Sequence, residues 1–187
     1  MNNNQFHATT ILALRHKNST VFIGDGQVTF NNTVFKHGAN KIRKLEITAD
    51  KPVLAGFAGS AADAFTLFEK FEVTLKSFNN QLGRAAVELA KEWRSDKMLR
   101  KLEAMMIVGD RDSIYMLSGN GDVISPDDNV MAIGSGGMFA LSAARALVRS
   151  SQSDKMSALE IAELAMNIAA EVCPFTNTNF NIQELSE

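Results

Sequence analysis

The chain has 187 residues, 45% of them hydrophobic and 21% charged, with a formal net charge of −2. That length supports one domain with a substantial core, and the charge balance lacks the basic excess that holds nucleic acid or an anionic membrane. The single cysteine, Cys173, excludes an internal disulfide framework and a cysteine-built zinc site, and no apolar run is long enough to span a bilayer. These features point to a soluble, cytoplasmic, single-domain protein.

Met1 to Ala8 lack the basic and apolar regions of a secretory signal and read as a short, unstructured polar leader. Thr10–Leu14 and Thr20–Ile23 are apolar runs separated by Lys17-Asn18-Ser19, which predicts an antiparallel hairpin. Gly24-Asp25-Gly26-Gln27 breaks the pattern; Thr33–Phe35 and Pro52–Gly59 read as further strands, with a basic stretch (Lys41, Arg43, Lys44) between them. From Ser60, apolar residues Ala61, Ala64, Phe68, Phe71, Leu75 and Phe78 recur at helical spacing, with Ser60 and Asp63 resembling a capping box. A second helix is predicted over 82–102, carrying Val87, Ala90, Trp93 and Met98. Strands follow at 105–108 and 114–117, and Asn120-Gly121 signals a type I′ hairpin into Val123-Ile124. A strand over 130–133 ends in Gly134-Ser135-Gly136-Gly137, then come helices over 139–149 and 158–170 and a last strand over 178–185. Strands, two helices, strands, two helices and a strand, joined by tight hairpins, argue for antiparallel sheets in a four-layer α+β sandwich.

Several familiar constellations are missing: there is no Gly-x-Ser-x-Gly elbow, no His-Glu-x-x-His and no Walker A lysine motif, and the three histidines have no ligand spacing. The Thr9-Thr10 pair at the mouth of the first strand is either a β-prone strand start or something chemical. A threonine hydroxyl is a poor nucleophile unless a base lies beside it. A chain cut before Thr9 would supply both groups from one residue, since an α-amine with a pKa of about 7.7–8.0 is far better placed as a base than a lysine. Asp25 is either part of a plain tight turn or a buried carboxylate holding Lys41, whose ammonium would keep a nearby amine neutral by like-charge repulsion. The basic stretch is otherwise a solvated face. Gly134–Gly137 is a weak candidate for a phosphate cradle, and Ser135 could reach a site at the strand ends. Gly56 and Gly59 permit close backbone approach, with an N–H as oxyanion donor.

The runs Ala8–Ile11, Gly24–Thr29 (GDGQVT), Lys41–Leu45 (KIRKL), Leu54–Glu69 (LAGFAGSAADAFTLFE), Glu92–Asp96 (EWRSD), Arg100–Ala104 (RKLEA), Ser118–Val123 (SGNGDV) and Ala132–Gly137 (AIGSGG) resemble the HslV (ClpQ) family of proteasome-β-like N-terminal threonine peptidases. The resemblance covers the chain from Thr9 onward. It implies the N-terminal-nucleophile hydrolase fold, an αββα sandwich. It also implies a homo-dodecamer of two stacked hexameric rings, fed with unfolded proteins and activated allosterically by a hexameric AAA+ ATPase, HslU (ClpY), with no nucleotide bound by the peptidase itself. Carried over, Thr9 is the nucleophile, freed when Met1–Ala8 are removed. Lys41 lowers the amine's pKa, Asp25 orients Lys41, Gly56 offers an oxyanion N–H, and Ser135 assists proton movement. The family's structural sodium, held by backbone carbonyls, maps to Ala170, Cys173 and Thr176, with Ala170 standing where the family has glycine. Eight residues precede Thr9, where many members have only a methionine, and Glu46–Lys51 and Ser150–Met156 look like surface insertions. Thr10 is the fallback nucleophile if cleavage falls one residue later. A non-enzymatic ring subunit that keeps its leader, and a small-molecule amidase, are the rival readings.

Overall fold

The structure, a computed structural model, describes residues 6–7, 9–30, 33–48, 50–99, 102 and 104–186, with only the backbone at residues 6, 7, 61 and 62. In chain order the elements begin with β1 (Phe6–His7), β2 (Thr10–His16), β3 (Ser19–Asp25), β4 (Val28–Phe30), β5 (Thr33–Lys36), β6 (Ile42–Leu45) and β7 (Val53–Ala58). Helices α1 (Ala61–Ser77) and α2 (Leu82–Ser95) follow, then β8 (Met105–Gly109), β9 (Ile114–Ser118), β10 (Val123–Ile124) and β11 (Val130–Gly134). Helices α3 (Gly137–Val148) and α4 (Ala158–Val172) and strand β12 (Phe180–Ser186) complete the chain.

Two antiparallel sheets, ordered β11-β2-β3-β12 and β10-β9-β8-β7-β6, form the centre. Their strands read as continuous apolar runs because both faces are covered. In β2 and β3, Leu12, Leu14, Val21 and Ile23 pack under α3 and α4 against Ala140, Ile161 and Met166. The alternate residues Ile11, Ala13 and Phe22 meet Leu54, Ala58 and Ile107 of the second sheet. Val53, Ala55 and Phe57 of β7 turn the other way, into a core with Phe71, Leu75, Leu89 and Trp93 of α1 and α2. The period-2 alternation therefore fills three apolar layers between four layers of elements, the expected αββα sandwich.

The expected elements are present, with local differences. The hairpin of β2 and β3 pairs Ile11 with Gly24 and His16 with Ser19, as the turn residues predict. Helix α1 starts where predicted, with the Ser60 hydroxyl accepting the Asp63 N–H, and stops at Asn79 and Asn80, both in left-handed backbone. Helix α2 ends at Ser95, short of the predicted 102. Asp96 Oδ1 accepts the N–H groups of Met98 and Leu99 at 2.7 and 3.0 Å, so its side chain offers the backbone an alternative to another helical turn. Val87 and Met98, read as part of an apolar face, are exposed. The β9–β10 turn is not type I′, which needs positive φ at both central residues. Gly121 alone has it (φ 90), and its N–H donates to Ser118 O at 3.0 Å, so the turn is a longer loop with glycine in the left-handed position.

The sequence reading also misses a small sheet, β1-β4-β5. Phe6 and His7 pair with Phe30 and Thr29, so this part of the leader is strand and not unstructured. Met1–Gln5 and Ala8, and with them the expected removal of the leader, lie outside the described residues. The described residues of the first proposed insertion are loop, and the second holds a single 3-10 turn at Ser153–Lys155. Asn80 Nδ2 ties the first to α1 through Thr48 Oγ1 and Lys51 O, and Lys17 Nζ ties the second to the β2–β3 turn through Asp154 O and Met156 O.

Candidate active site

Sheet register builds the site around the start of β2. On one side β3 runs antiparallel and ends in Asp25, beside Thr10; on the other, β11 pairs Gly134 with Thr10. Thr9 O accepts the Ser135 N–H at 2.9 Å, which fixes the peptide that follows Thr9. Only glycine fits at 134. Its φ is 89°, and a Cβ there would lie 1.7 Å from Thr9 O. Ser135 itself is exposed, at the turn beside Thr9.

Thr10 is fully buried. Its N–H donates to Asp25 Oδ1 at 2.7 Å, and its Oγ1 accepts the Gly136 N–H at 2.9 Å and lies 2.7 Å from Thr176 Oγ1. A hydroxyl committed to two partners inside the core is not presented to a substrate. The geometry therefore argues against Thr10 as fallback nucleophile and gives it a structural role.

Asp25 is the hub. Oδ1 also accepts Lys41 Nζ at 2.8 Å, while Oδ2 accepts the N–H groups of Gln27 at 2.9 Å and Asn177 at 3.4 Å. Lys41, just before β6, also donates to Gln27 O at 2.7 Å. Its side chain is only 9% exposed. Burial pulls the Lys41 ammonium below the ordinary lysine value, while the charge and hydrogen bond of Asp25 pull it back up. The basic stretch thus splits into three fates. Lys41 turns inward, Arg43 lies 4.9 Å from the ring centroids of both Phe65 and Phe68, and Lys44 pairs with Glu46 at the surface.

The two candidate oxyanion glycines sit differently. Gly56 is mid-strand in β7, opposite Ile42 on β6 and Ile107 on β8. Phe57 N–H donates to Lys41 O, so the N–H of Gly56 turns the opposite way, into the ladder with β8. A Cβ on Gly56 would touch two Ile11 methyls at 3.0 Å, which explains its glycine by packing. Gly59 lies just past the end of β7, exposed, with φ 154. Alternation aims its N–H to the same side as that of Phe57, beyond the last pairing with β6.

The loop from α4 to β12 borders the site, bonding to Thr10, Asp25 and Gly26 through Thr176 and Asn177. It holds Cys173, which is buried, and Thr176, whose N–H donates to Cys173 O at 3.1 Å. Asn177 Oδ1 accepts the Gly26 N–H at 3.1 Å, and its Nδ2 donates to His37 O at 3.0 Å. Gln27 and Asn177 are the residues that the sequence reading passes over as site members. The only signal in the sequence is their position beside Asp25-Gly26 and Thr176.

The family described as "Proteasome subunit" matches residues 5–185. The ATP-dependent protease subunit HslV of Brevibacillus brevis is 57% identical over 183 residues, 97% of this chain and 99% of that protein. The ATP-dependent protease subunit ClpQ of Bacillus subtilis is 58% identical over 181 residues, 96% of this chain and 98% of its own. The crystal structure of eukaryotic HslV from Trypanosoma brucei superposes with a TM-score of 0.88 at 46% identity, covering 95% of this chain and 99% of the other. Thiobacillus denitrificans BPH, solved with epoxomicin, shares the fold alone, at a TM-score of 0.69 and 16% identity.

Proposed function

The chain belongs to the proteasome subunit family, and from that premise we propose that it is the peptidase subunit of an ATP-dependent protease, an endopeptidase whose nucleophile is Thr9. The observation that carries the reading is a single carboxylate oxygen, Asp25 Oδ1, which holds both the Thr10 N–H and Lys41 Nζ, at 2.7 and 2.8 Å. That bond pair ties the lysine to the peptide unit adjoining the nucleophile.

Removal of Met1–Ala8 creates a free amine on Thr9. The nearby Lys41 ammonium disfavours a second positive charge, so the amine is neutral and basic near neutral pH. It takes the Oγ proton as Oγ attacks the scissile carbonyl, and returns it to the departing amine. The ester left on Oγ is then cleaved by water, with the same amine as base. The developing oxyanion is met by a backbone N–H, which we assign to Gly59 in place of Gly56, because the Gly56 N–H belongs to the ladder. Ser135 stands at the turn that fixes Thr9 O and assists proton movement.

The partners expected are other copies of the chain, in two stacked hexameric rings, and an HslU-type AAA+ ATPase that delivers unfolded proteins, all in the cytoplasm. Leu164, Ile168 and Val172 form an exposed stripe on α4 at four-residue spacing, which suits burial between copies. Among the described residues no helix is long and apolar enough to cross a membrane.

A structural sodium ion fits the end of α4. Ala170 is outside the positive-φ residues, so the side chain standing in for glycine adds no strain. Residue 174 is proline, so the Ala170 carbonyl lacks the N–H that a continuing helix would offer it, and the partial negative charge of a helix C-terminus favours a cation there. The carbonyls of Ala170, Cys173 and Thr176 would hold the ion, which orders the loop and takes no part in the chemistry.

The test is intact mass and N-terminal sequence of the native protein, followed by Thr9→Ala in the presence of the ATPase and ATP. A chain beginning at Thr9, and an inactive variant that still assembles, are expected. A retained leader, or an active Thr9→Ala variant, overturns the proposal.

A further inference from the structure

We infer that Gln27 is a positioning residue of the peptidase site, its side-chain amide fixing the carbonyl that seats the Lys41 ammonium. The inference rests on the N-terminal threonine reading above. Gln27 lies between β3 and β4, where neither strand pairing nor a helix dictates the backbone direction. It is nevertheless only 5% exposed, with its N–H, its backbone carbonyl and its side-chain Nε2 all bonded. Its N–H donates to Asp25 Oδ2 at 2.9 Å, and its carbonyl accepts Lys41 Nζ at 2.7 Å. Its Nε2 donates to Thr29 Oγ1 at 3.0 Å and to Pro174 O at 2.9 Å.

Both amide hydrogens are therefore used, one on β4 and one on the α4–β12 loop. Two tethers from Nε2, one to each element, hold the side chain, and with it the orientation of the peptide that follows. Lys41 has a flexible four-carbon stem, so the place of its charge depends on the acceptors that meet it. With Asp25 alone, the ammonium is drawn toward the carboxylate. With the Gln27 carbonyl in place as well, it is held between two acceptors. The like-charge effect on the Thr9 amine depends on that position, because Coulomb repulsion falls with distance.

The experiment uses the assembled protein with its ATPase and a fluorogenic peptide, comparing wild type with Gln27→Met, which keeps the bulk and loses both donors. The expected result is a fall in kcat of about tenfold with KM unchanged. The acid limb of the kcat/KM profile should also move to higher pH by about half a unit, as the amine loses part of its repulsion. Thr29→Val, which removes one tether, shifts the limb in the same direction by less, and serves if Gln27→Met fails to assemble. An unmoved acid limb in the assembled variants, or a change confined to KM, overturns the inference. Thr9→Ala is run alongside. If it hydrolyses the peptide, the threonine reading itself fails, whatever Gln27 does.

Discussion

Asparagine at position 25 is a demanding test of the buried network. Both Asp25 oxygens act only as acceptors: Oδ1 for Thr10 N–H and Lys41 Nζ, Oδ2 for the N–H groups of Gln27 and Asn177. An asparagine must turn its NH₂ toward one pair or the other, so donors face donors in either orientation. The side chain is fully buried, and water has no access to relieve the mismatch. Lys41 at the same time loses its counter-ion while only 9% exposed. Removing one partner of a buried ion pair costs about 3–5 kcal/mol. Burial already holds Lys41 below its ordinary value, so part of that cost is present in the wild type and the loss lies at the lower end, about 3 kcal/mol. For a domain of this size that corresponds to a melting temperature lower by about 10 °C. Without Asp25 the ammonium is also no longer seated beside the Thr9 amine, so the repulsion that keeps that amine neutral weakens and peptide hydrolysis should fall by about 100-fold. Thermal unfolding of the assembled protein and peptide hydrolysis with the ATPase measure the two effects. Adding Lys41→Met deletes the orphaned charge, so the double variant should regain more than about 1 kcal/mol of stability and no activity. Melting within about 2 °C of wild type, or a double variant less stable than Asp25→Asn, would refute the argument.

Gly134→Ala places a methyl 1.7 Å from Thr9 O and forces φ 89 on a residue with a Cβ, so the peptide after the nucleophile must move by about 1 Å. Hydrolysis should drop by about 100-fold in protein that remains folded by circular dichroism; near-normal kcat/KM would contradict it. Thr10→Val strands the Gly136 N–H and should cost about 1–3 kcal/mol in urea unfolding, yet Thr9 should still be labelled by a peptide electrophile that reacts with a hydroxyl and the adjacent amine. For pH, the folded value of Lys41 lies below 10.5, so the unfolded chain binds more protons between the two values, and stability rises with pH through that window. Lys41→Met should flatten this rise, read as the difference between the two proteins in denaturant midpoints measured across alkaline pH. Pro174→Ala restores an N–H that competes for the Ala170 carbonyl, and should reduce the stabilisation seen on replacing potassium by sodium in a melting series.

Apart from the short strands β1, β4 and β6, the element order and the layer architecture were legible in the sequence because hydrophobic periodicity and turn chemistry are local. Leu12 and Leu14 alternate with Ile11 and Ala13 whatever they pack against, Ser60 caps α1 with its own side chain, and Asn79 and Asn80 stop it. Local signals misled where a side chain competed with the backbone. Asp96 ends α2 seven residues before the apolar pattern fades, and Gly121 takes a left-handed turn without Asn120 joining it.

At the site, the sequence by itself determined which chemistry was available: a threonine that can carry its own base, and a carboxylate and a lysine to tune it, held in runs shared with a threonine peptidase family. Tertiary structure decided which groups are in place. Register with β3 and β11 commits the Thr10 hydroxyl to the core, and strand parity turns the Gly56 N–H into a ladder while leaving Gly59 past the strand end. A glutamine that looks like a turn residue becomes buried because Thr29 and Pro174, two and 147 positions away, both present acceptors to it. Residue types are written in the chain, but the direction of an N–H or a carbonyl depends on which strand lies beside it, and that neighbour is fixed only when the sheets form.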